Sequence, residues 1–499
     1  MNVLLLLLLP LLTALLVLPA KGLVQVRQVA LWGSVLQLLL SLVLLYVYLQ
    51  QRAAGNNAPF LLEWKHTWYG PLGISFHTGV DGISLSMILL TGVVVLAGVL
   101  VSWNEQRLSK EFFFLLLLLA TGAYGFFMSL DLFTLFFFLE VAVLPKFLLI
   151  GIWGSGKKEY SAMKLALMLM GGSALVLIGL LGLYFQAPDM GRNHMSLVQF
   201  AASPIAKNVQ LLFFPFAFLG FGIFTALFPF HTWVPDGHAS APTAASMFLA
   251  GISMKLGGYG CLRVATWLMP DAAQEYSLLI VVLAAIAILY GAFATMMQTD
   301  LKYMNAYSSV SHTGFVLLGI GMLTQTAING AVLQMISHGL MTALFFAVIG
   351  MIYERTHTRE VAQLGGLLKV MPFIATVFVI TGLCSLGLPG LSGFVAEMTV
   401  FVGAWERAGI WYRVATLAAT ASIVVTAVYI LRATGTSLLG PLRKTEYATL
   451  SDARWNERLA AVVLLAGMLL MGVAPFLFRN LIGPGTELIM QKIQPIVQK

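Results

Sequence analysis

The stretch DLFTLFFFLEVAVLPKFLLIGIW, residues 131–153, is long and apolar enough to form one membrane-spanning helix. It nevertheless contains two ionisable side chains, Glu140 and, six residues later, Lys146. A charged side chain near the centre of a bilayer costs at least about 2.5 kcal/mol. Such residues usually have a function, so Glu140 and Lys146 are the first candidate site residues. A structural ion pair is the alternative interpretation.

The whole chain has the same apolar character. Of its 499 residues, 59% are hydrophobic and 10% are charged, whereas soluble proteins carry about 25% charged residues. The composition therefore predicts an integral membrane protein. The first apolar segment lacks the basic start of a signal peptide, and we interpret it as the first span. Cys261 and Cys384 lie in apolar segments without partner spacing, which indicates neither a disulfide nor a thiolate metal site.

Apolar runs of sufficient length predict about 14 transmembrane helices and an all-α polytopic fold. The predicted spans are 3–20, 29–50, 81–101, 112–128, 131–153, 161–185, 209–228, 241–263, 276–297, 302–322, 326–353, 369–405 (interrupted), 414–436 and 457–478.

The distribution of basic residues predicts the orientation. An even number of spans puts both termini on one side. With that side outside, sixteen Lys and Arg residues, among them Lys302, face the inside, against ten outside, among them Arg192, Arg263 and Lys499. The excess favours both termini on the outer face. The net charge of +8 fits basic cytoplasmic loops and gives no indication of nucleic-acid binding.

Several ionisable residues fall within predicted spans. They are Glu140, Lys146, Lys255, His312, His338 and Glu397. Burial and neighbouring charges bring the proton affinities of such groups together, so this set predicts a proton relay. For each histidine, a hydrogen-bonded core imidazole is an equally good interpretation. Three further charges, Asp131, Lys164 and Lys302, lie near span ends, where an interfacial anchor is the alternative to function.

Two segments interrupt the helical pattern: FPFHTWVPDGHASAP at 228–242 and SLGLPGLSGFVAE at 385–397. Broken helices in two halves of a chain indicate a transporter built from inverted repeats. Spans four to eight and nine to thirteen would form two inverted five-helix repeats with discontinuous helices. The predicted units are an N-terminal part at 1–111, a first repeat at 112–263, a second repeat at 276–436 and a C-terminal part at 437–499.

Cofactor motifs do not occur in this sequence. It contains no dinucleotide-binding GxGxxG after a strand, no Walker loop, no CxxC and no haem motif. His231, Asp236 and His238 surround a proline turn, but no closed ligand set follows, so we predict no metal site. We therefore assign any redox chemistry to partner subunits.

Four segments carry a resemblance to a known family. They are FPFHTWVPDGHASAPTAASMFLAGISMKLGGYG (228–260), QTDLKYMNAYSSVSHTG (298–314), GAVLQMISHGLMTALFFAVIGMIYERTHTR (330–359) and LPGLSGFVAE (388–397). The chain resembles, from about 80 to 440, the antiporter-like membrane subunits of proton-pumping NADH:quinone oxidoreductase, the bacterial respiratory complex I. This family has fourteen spans with two inverted five-helix repeats.

The resemblance implies roles for particular residues. It makes Glu140 the carboxylate of the fifth span, Lys255 the central lysine of the eighth, and Glu397 the terminal carboxylate, with His312 and His338 between them. Glutamate is what one subunit type carries at the last position, whereas its sisters usually carry lysine.

The sequence departs from the family at two positions. The usual lysine of the seventh span is replaced by Phe224, whereas Lys146 stands where the family has an apolar residue. We therefore expect the Lys146 amine to occupy the space beside Phe224 and to serve as the counter-charge of Glu140.

The resemblance also implies partners and location. NADH, FMN, iron–sulfur clusters and quinone would bind to other subunits, and antiporter-like membrane subunits and lipid would surround this chain in the inner membrane of a bacterium. The family also includes subunits of multisubunit sodium/proton antiporters and of membrane-bound hydrogenases, which are alternatives. A passive spacer between pump modules is a third, but a spacer would not need ionisable residues at 140 and 255.

Overall fold

The computed structural model describes residues 2–186 and 195–497, and helices dominate it. The first half contains α1 (Leu4–Val17), α2 (Leu23–Ala53), β1 (Leu61–Tyr69), β2 (Ile74–Val80), α3 (Gly82–Val101), α4 (Ser109–Met128), α5 (Leu132–Val141), α6 (Val143–Trp153), α7 (Lys158–Gln186), α8 (Leu197–Ala202), α9 (Lys207–Thr225), α10 (Trp233–Ser240), α11 (Thr243–Phe248), α12 (Met254–Gly260) and α13 (Pro270–Glu275). The second half contains α14 (Ser277–Met296), α15 (Leu301–Met322), α16 (Gln325–Thr356), α17 (Pro372–Ser385), α18 (Ser392–Glu406), α19 (Ile410–Leu438), α20 (Trp455–Val473) and α21 (Pro475–Val497).

Ten helical segments of the described chain are long and apolar enough to cross a membrane. They are α2, α3, α4, the pair α5–α6, α7, α9, α14, α16, α19 and α20. The prediction of a mostly helical, multi-pass membrane protein is therefore confirmed. Helices α1 and α17 are apolar but shorter, and the predicted span 241–263 is divided among several helical pieces. The number fourteen remains a prediction.

The all-α prediction was wrong between α2 and α3, where two antiparallel strands form a hairpin. Residues 70–72 and Gly73, whose φ is +65°, make the turn between β1 and β2. The sequence of β1, LLEWKHTWY, is rich in the aromatic and β-branched residues typical of strands. The hairpin packs against the start of α5, where the Leu130 N–H donates to the carbonyl of His77.

Interrupted helices occur where the sequence predicted them, with one difference. Helix α17 ends at Ser385 and α18 begins at Ser392, as expected for the glycine- and proline-rich segment. Within 228–242, by contrast, α10 is helical from Trp233 to Ser240. Pro235 is tolerated there because it lies in the first turn of α10, where backbone N–H groups have no intrahelical partner.

Helix α16 lies at the centre of the molecule and is almost completely buried. It packs against α15, α18, α17, α20 and α3. Two π-helical segments, Leu249–Ser253 and Cys261–Thr266, flank α12, and the first of them packs against α16. Such π-helical turns shift the facing of side chains and often occur at functional sites. The central helix α16 thus brings α12, α15 and α18 together around its buried surface.

Candidate functional site: a buried row of ionisable side chains

Lys255 lies between the two π-helical segments, on α12. Its side chain is 1% exposed. The Nζ atom donates a hydrogen bond to the carbonyl of Ala250 and lies 2.7 Å from Nδ1 of His338, on α16. An amine is therefore held in hydrogen-bonding contact with an imidazole inside the protein, the kind of contact through which a proton can pass.

His312 continues the row from His338. The centres of the two imidazole rings are 5.7 Å apart, with the ring planes inclined by 30°. His312 Nε2 lies 2.9 Å from Oγ of Ser385, at the end of α17, and its own backbone carbonyl accepts a hydrogen bond from Gln334. The contact with Ser385 holds the ring between α15 and α17, and the bond from Gln334 ties α16 to the backbone of α15 at the same residue. A proton crossing between the rings requires a bridging water or a rotation of one ring.

Glu397 closes the row on α18. Its Oε1 atom lies 3.2 Å from Nδ1 of His312, and its side chain is buried. The break between α17 and α18 packs closely against this carboxylate: Gly387, with φ +76°, turns the chain there, and a Cβ at this position would lie 2.9 Å from Oε2 of Glu397. Glycine at 387 thus satisfies both the left-handed backbone and the space that Glu397 occupies.

The structure therefore brings four of the six predicted residues into one row: Lys255, His338, His312 and Glu397. Sequence reasoning did not identify Ser385, which holds His312. Its position in the interrupted segment 385–397 was the one sequence feature that could have indicated a role for this serine. In chemical terms the row can accept a proton at one end and deliver it at the other, since each member changes its charge by one proton.

Glu140 and Lys146 form a separate pair on a helix that is interrupted at Ala142, where α5 ends and α6 follows. Lys146 is 1% exposed, and its Nζ lies 5.7 Å from the centre of the Phe224 ring on α9. This is the placement that the two departures from the family predicted. Within the described residues, Nζ of Lys146 and Oε1 of Glu140 are buried without hydrogen-bond partners.

The interfacial-anchor interpretation was wrong for Asp131 and Lys302, because both are buried. Asp131 caps α5 by accepting hydrogen bonds from the N–H groups of Phe133 and Thr134, and it also accepts one from Ser75 of β2. Lys302 donates to the carbonyl of Ala241. A capping carboxylate and an amine that donates to a backbone carbonyl can remain inside the protein, so neither residue needs to reach the membrane surface.

Lys164 and Asp236 form an ion pair, with 2.6 Å between Nζ and Oδ2. Each side chain is about a quarter exposed. Lys164 is therefore paired with a side chain of α10. A residue that anchors the chain in the lipid interface would instead extend its amine towards the headgroups.

Sequence reasoning missed a buried ion pair between Asp81 and Arg263. Both side chains are fully buried, and the guanidinium lies among the rings of Phe60, Tyr259 and Trp267. Arg263 was counted as an outside residue because hydropathy ends the eighth predicted span there.

The orientation argument survives these corrections. Three of the counted residues are buried, Arg263 and Arg407 from the outside count and Lys302 from the inside count, and without them fifteen basic residues inside stand against eight outside. Arg192 and Lys499, which were counted on the outer face of the membrane, are not among the residues that the structure describes. The orientation therefore remains a prediction.

His231, Asp236 and His238 turn towards different neighbours. Asp236 pairs with Lys164, the ring of His231 stacks on Phe228, and His238 stacks on Phe346. Among the residues that the structure describes, no group of three His, Cys, Asp or Glu side chains could hold a metal ion.

Comparison with known proteins agrees with this geometry. A family model described as NADH:quinone oxidoreductase/Mrp antiporter, TM, matches residues 129–423. Subunit M of NADH-quinone oxidoreductase from Rickettsia typhi is 33% identical over 470 residues, which cover 94% of this chain and 93% of that protein. Chain 4-2 of NAD(P)H-quinone oxidoreductase from Synechocystis sp. is 40% identical over 348 residues, which cover 70% of this chain and 62% of that protein.

A solved structure, respiratory complex I from Thermus thermophilus with bound NADH, contains a chain of the same fold. The two chains superimpose with a TM-score of 0.88 and 27% sequence identity, and the match covers 98% of this chain and 99% of that one. Together with the family model, this likeness establishes that the chain belongs to the membrane-protein family that NADH:quinone oxidoreductases share with Mrp antiporters.

Proposed function

We propose that this chain is a proton-translocating membrane subunit of NADH:quinone oxidoreductase, of the kind named subunit M. Redox-driven changes in partner subunits would drive proton transfer through it. The observation that carries the proposal is the buried row Lys255, His338, His312 and Glu397, because enclosing four adjacent ionisable groups in a membrane protein is costly and such groups usually mark a path for ions or protons.

The proposed mechanism uses two groups of residues, one as an electrostatic switch and the other as the path of the proton. Glu140 and Lys146 form the switch: a protonated Lys146 stabilises the ionised form of Glu140, and loss of that charge favours protonation of Glu140. A change at this pair alters the electrostatic potential at Lys255, which then donates to or accepts from His338. The proton passes through His312 to Glu397, from which it leaves to the outer side or acts on the next subunit.

The proposed architecture has fourteen spans. Ten of these spans are the helical segments that are long and apolar enough by themselves. The other four would be α1, the segment from α11 to residue 266, α15, and α17 together with α18. Two inverted repeats would then comprise 112–263 and 276–436, between the parts 1–111 and 437–499. A broken helix occupies the fourth position of each repeat, since α9 is separated from α10 by residues 226–232 and α17 from α18 by residues 386–391.

The chain would act as a translocase subunit without a redox group of its own. NADH, FMN, iron–sulfur clusters and quinone would bind to partner subunits. Antiporter-like subunits would lie on both sides of this chain in the bacterial inner membrane, with both termini on the outer face.

A sodium/proton antiporter subunit is the second candidate, because the matching family model includes Mrp antiporters. The relatives named after NADH-quinone oxidoreductase favour the first. Both functions use the same buried row, and they differ in the energy source.

One experiment separates the two functions. The chain is purified with its associated subunits and reconstituted into vesicles. NADH-driven proton movement, together with flavin and iron–sulfur absorbance in the preparation, is the expected result. Proton movement driven by a sodium gradient, with neither NADH oxidation nor redox absorbance, would favour the antiporter.

A further inference from the structure

A groove of about 430 Å³ lies between the second half of α18 and the first half of α19. It is open to the outside of the molecule, since Val402, Trp405 and Leu417 along it are all half exposed or more. Its lining residues are Phe401, Val402, Trp405, Glu406, Thr416, Leu417 and Thr420.

The floor and walls of the groove are suited to a hydrocarbon chain. Phe401 and Thr416 are buried at its base, whereas Val402 and Leu417 are half exposed or more along its edges. The hydroxyl of Thr416 donates a hydrogen bond to the carbonyl of Tyr412 in its own helix. Because this polar group already has a partner, Thr416 can line an apolar groove. An occupant that reaches this groove from the surrounding bilayer must therefore have an apolar tail.

One end of the groove is charged and carries both signs. Glu406, at the end of α18, is exposed, and its Oε1 accepts a hydrogen bond from Thr326 at 2.8 Å, which fixes the carboxylate. Arg413 precedes Thr416 by three residues on α19, and its guanidinium carbon lies 5.6 Å from the centre of the Trp405 ring. Arg413 is exposed, so its guanidinium group is open to the surroundings of the groove.

This charged end lies where membrane headgroups are expected. The short connection between α18 and α19 follows Glu406, and the exposed indoles of Trp405 and Trp411 flank it. Tryptophan is enriched at the boundary between hydrocarbon and water. The charged end and the apolar groove are thus arranged like the headgroup and the tail of a single lipid.

We propose that this groove is a binding site for a phospholipid with a primary-amine headgroup, phosphatidylethanolamine. One acyl chain lies between α18 and α19, Arg413 binds the phosphate, and Glu406 binds the ammonium. Arginine binds phosphate oxygens through a planar pair of N–H donors, and the ammonium donates charge-assisted hydrogen bonds to the carboxylate. An anionic lipid would meet repulsion from Glu406, and the trimethylated amine of choline lipids has no N–H to donate.

Native mass spectrometry of the chain, purified with the subunits that accompany it in mild detergent, tests the site. Phosphatidylethanolamine, phosphatidylcholine and phosphatidylglycerol with identical acyl chains are titrated separately. We expect phosphatidylethanolamine to bind with at least about tenfold higher affinity than the other two, as one charge-assisted hydrogen bond can provide. Arg413→Gln and Glu406→Gln should each remove this preference, and Leu417→Trp should block the groove.

Matched controls separate the site from general effects on the membrane surface. Leu431→Trp changes a leucine on α19 that is as exposed as Leu417, and Arg479→Gln removes an exposed arginine elsewhere. Both should bind lipid as the unchanged chain does. Equal binding of the three lipids, or a preference for phosphatidylglycerol that Glu406→Gln leaves intact, would overturn the proposal. So would a structure of the assembled complex with a neighbouring subunit in the groove. Because the readout is lipid binding, it is independent of whether the chain moves protons.

Discussion

The side-chain nitrogen of Lys255 lies 2.7 Å from Nδ1 of His338, so that an amine and an imidazole share a contact in the interior of the protein. When Lys255 is charged, the ring nitrogen must be unprotonated to accept. If His338 gains a proton, the two positive charges repel each other and Lys255 must lose one. The contact therefore couples the protonation of Lys255 on α12 to the protonation of His338 on α16.

Replacing Lys255 with methionine should reduce NADH-driven proton transport by about tenfold or more, because the row loses its first carrier. Lys255→Arg should not restore full activity, since arginine keeps its proton at physiological pH. Acidification of reconstituted vesicles is the measurement. Leu256→Met, at the adjacent buried position, is the control for changed packing. A fully active arginine variant would mean that Lys255 supplies charge without passing on a proton.

Replacing Glu397 with glutamine should also reduce proton transport about tenfold or more, because an amide cannot take the proton from His312. Glu397→Asp should retain part of the activity, since it keeps the carboxylate and shortens its reach. Ser385→Ala removes the hydroxyl contact on the other nitrogen of His312 and should slow transport less than Glu397→Gln. Transport at the unchanged rate in Glu397→Gln would remove this carboxylate from the route.

The sequence alone predicted the members of the row better than their arrangement. Charge within an apolar run identifies Lys255, His312, His338 and Glu397, because an ionisable residue is costly in a membrane span and is visible in the sequence itself. Which of them touch depends on helix packing around α16 and on π-helical turns, and neither leaves a periodic signal. For the same reason, the separation of Glu140 from the row became visible only in the structure.

Counting apolar spans also failed to predict two features of the structure, the β-hairpin and the buried position of Arg263. Because it treats everything between apolar runs as a connection, the strands of the hairpin were overlooked although LLEWKHTWY has strand character. It likewise placed Arg263 in a loop, since hydropathy cannot tell an arginine at a membrane surface from one buried against Asp81. A buried ion pair requires two residues far apart in sequence, and one sequence does not reveal which two.

Removing one partner of the Asp81–Arg263 pair should destabilise the protein by about 3–5 kcal/mol, because the other charge remains buried without compensation. We therefore expect Asp81→Asn or Arg263→Met to lower the Tm in detergent. The double variant should lose less than the sum of the two single variants, since no charge is then left alone. Glu354→Gln, which removes an exposed ion pair with Arg454, is the control and should have little effect. Additive losses would show that the two charges do not stabilise each other.

Glu140→Gln should abolish most proton transport while leaving assembly intact. The residue is the carboxylate of a span that is otherwise rich in phenylalanine and leucine, and a neutral amide cannot switch its charge. Proton transport is compared with electron transfer from NADH in the same vesicles. Unchanged acidification by a fully assembled variant would exclude Glu140 from the mechanism.

The Lys146 amine should be a functional replacement for the amine that the family carries at the position of Phe224. Its Nζ lies over the Phe224 ring at 5.7 Å and is shielded from lipid, so a lysine on α9 could place its head in the same space. Lys146→Met should therefore impair transport about as strongly as Glu140→Gln. Leu144→Met, at an exposed position of the same helix, is the control and should be active.

The decisive variant combines Lys146→Met with Phe224→Lys, which moves the amine from α6 to α9 without changing the net charge. We expect this double variant to recover much of the transport that Lys146→Met loses. Phe224→Lys alone should be harmful, because two amines beside Glu140 leave one of them without a counter-charge. Failure of the double variant to exceed Lys146→Met, in a preparation with normal assembly and NADH oxidation, would show that the position of the amine on α6 matters, not only its presence near Glu140.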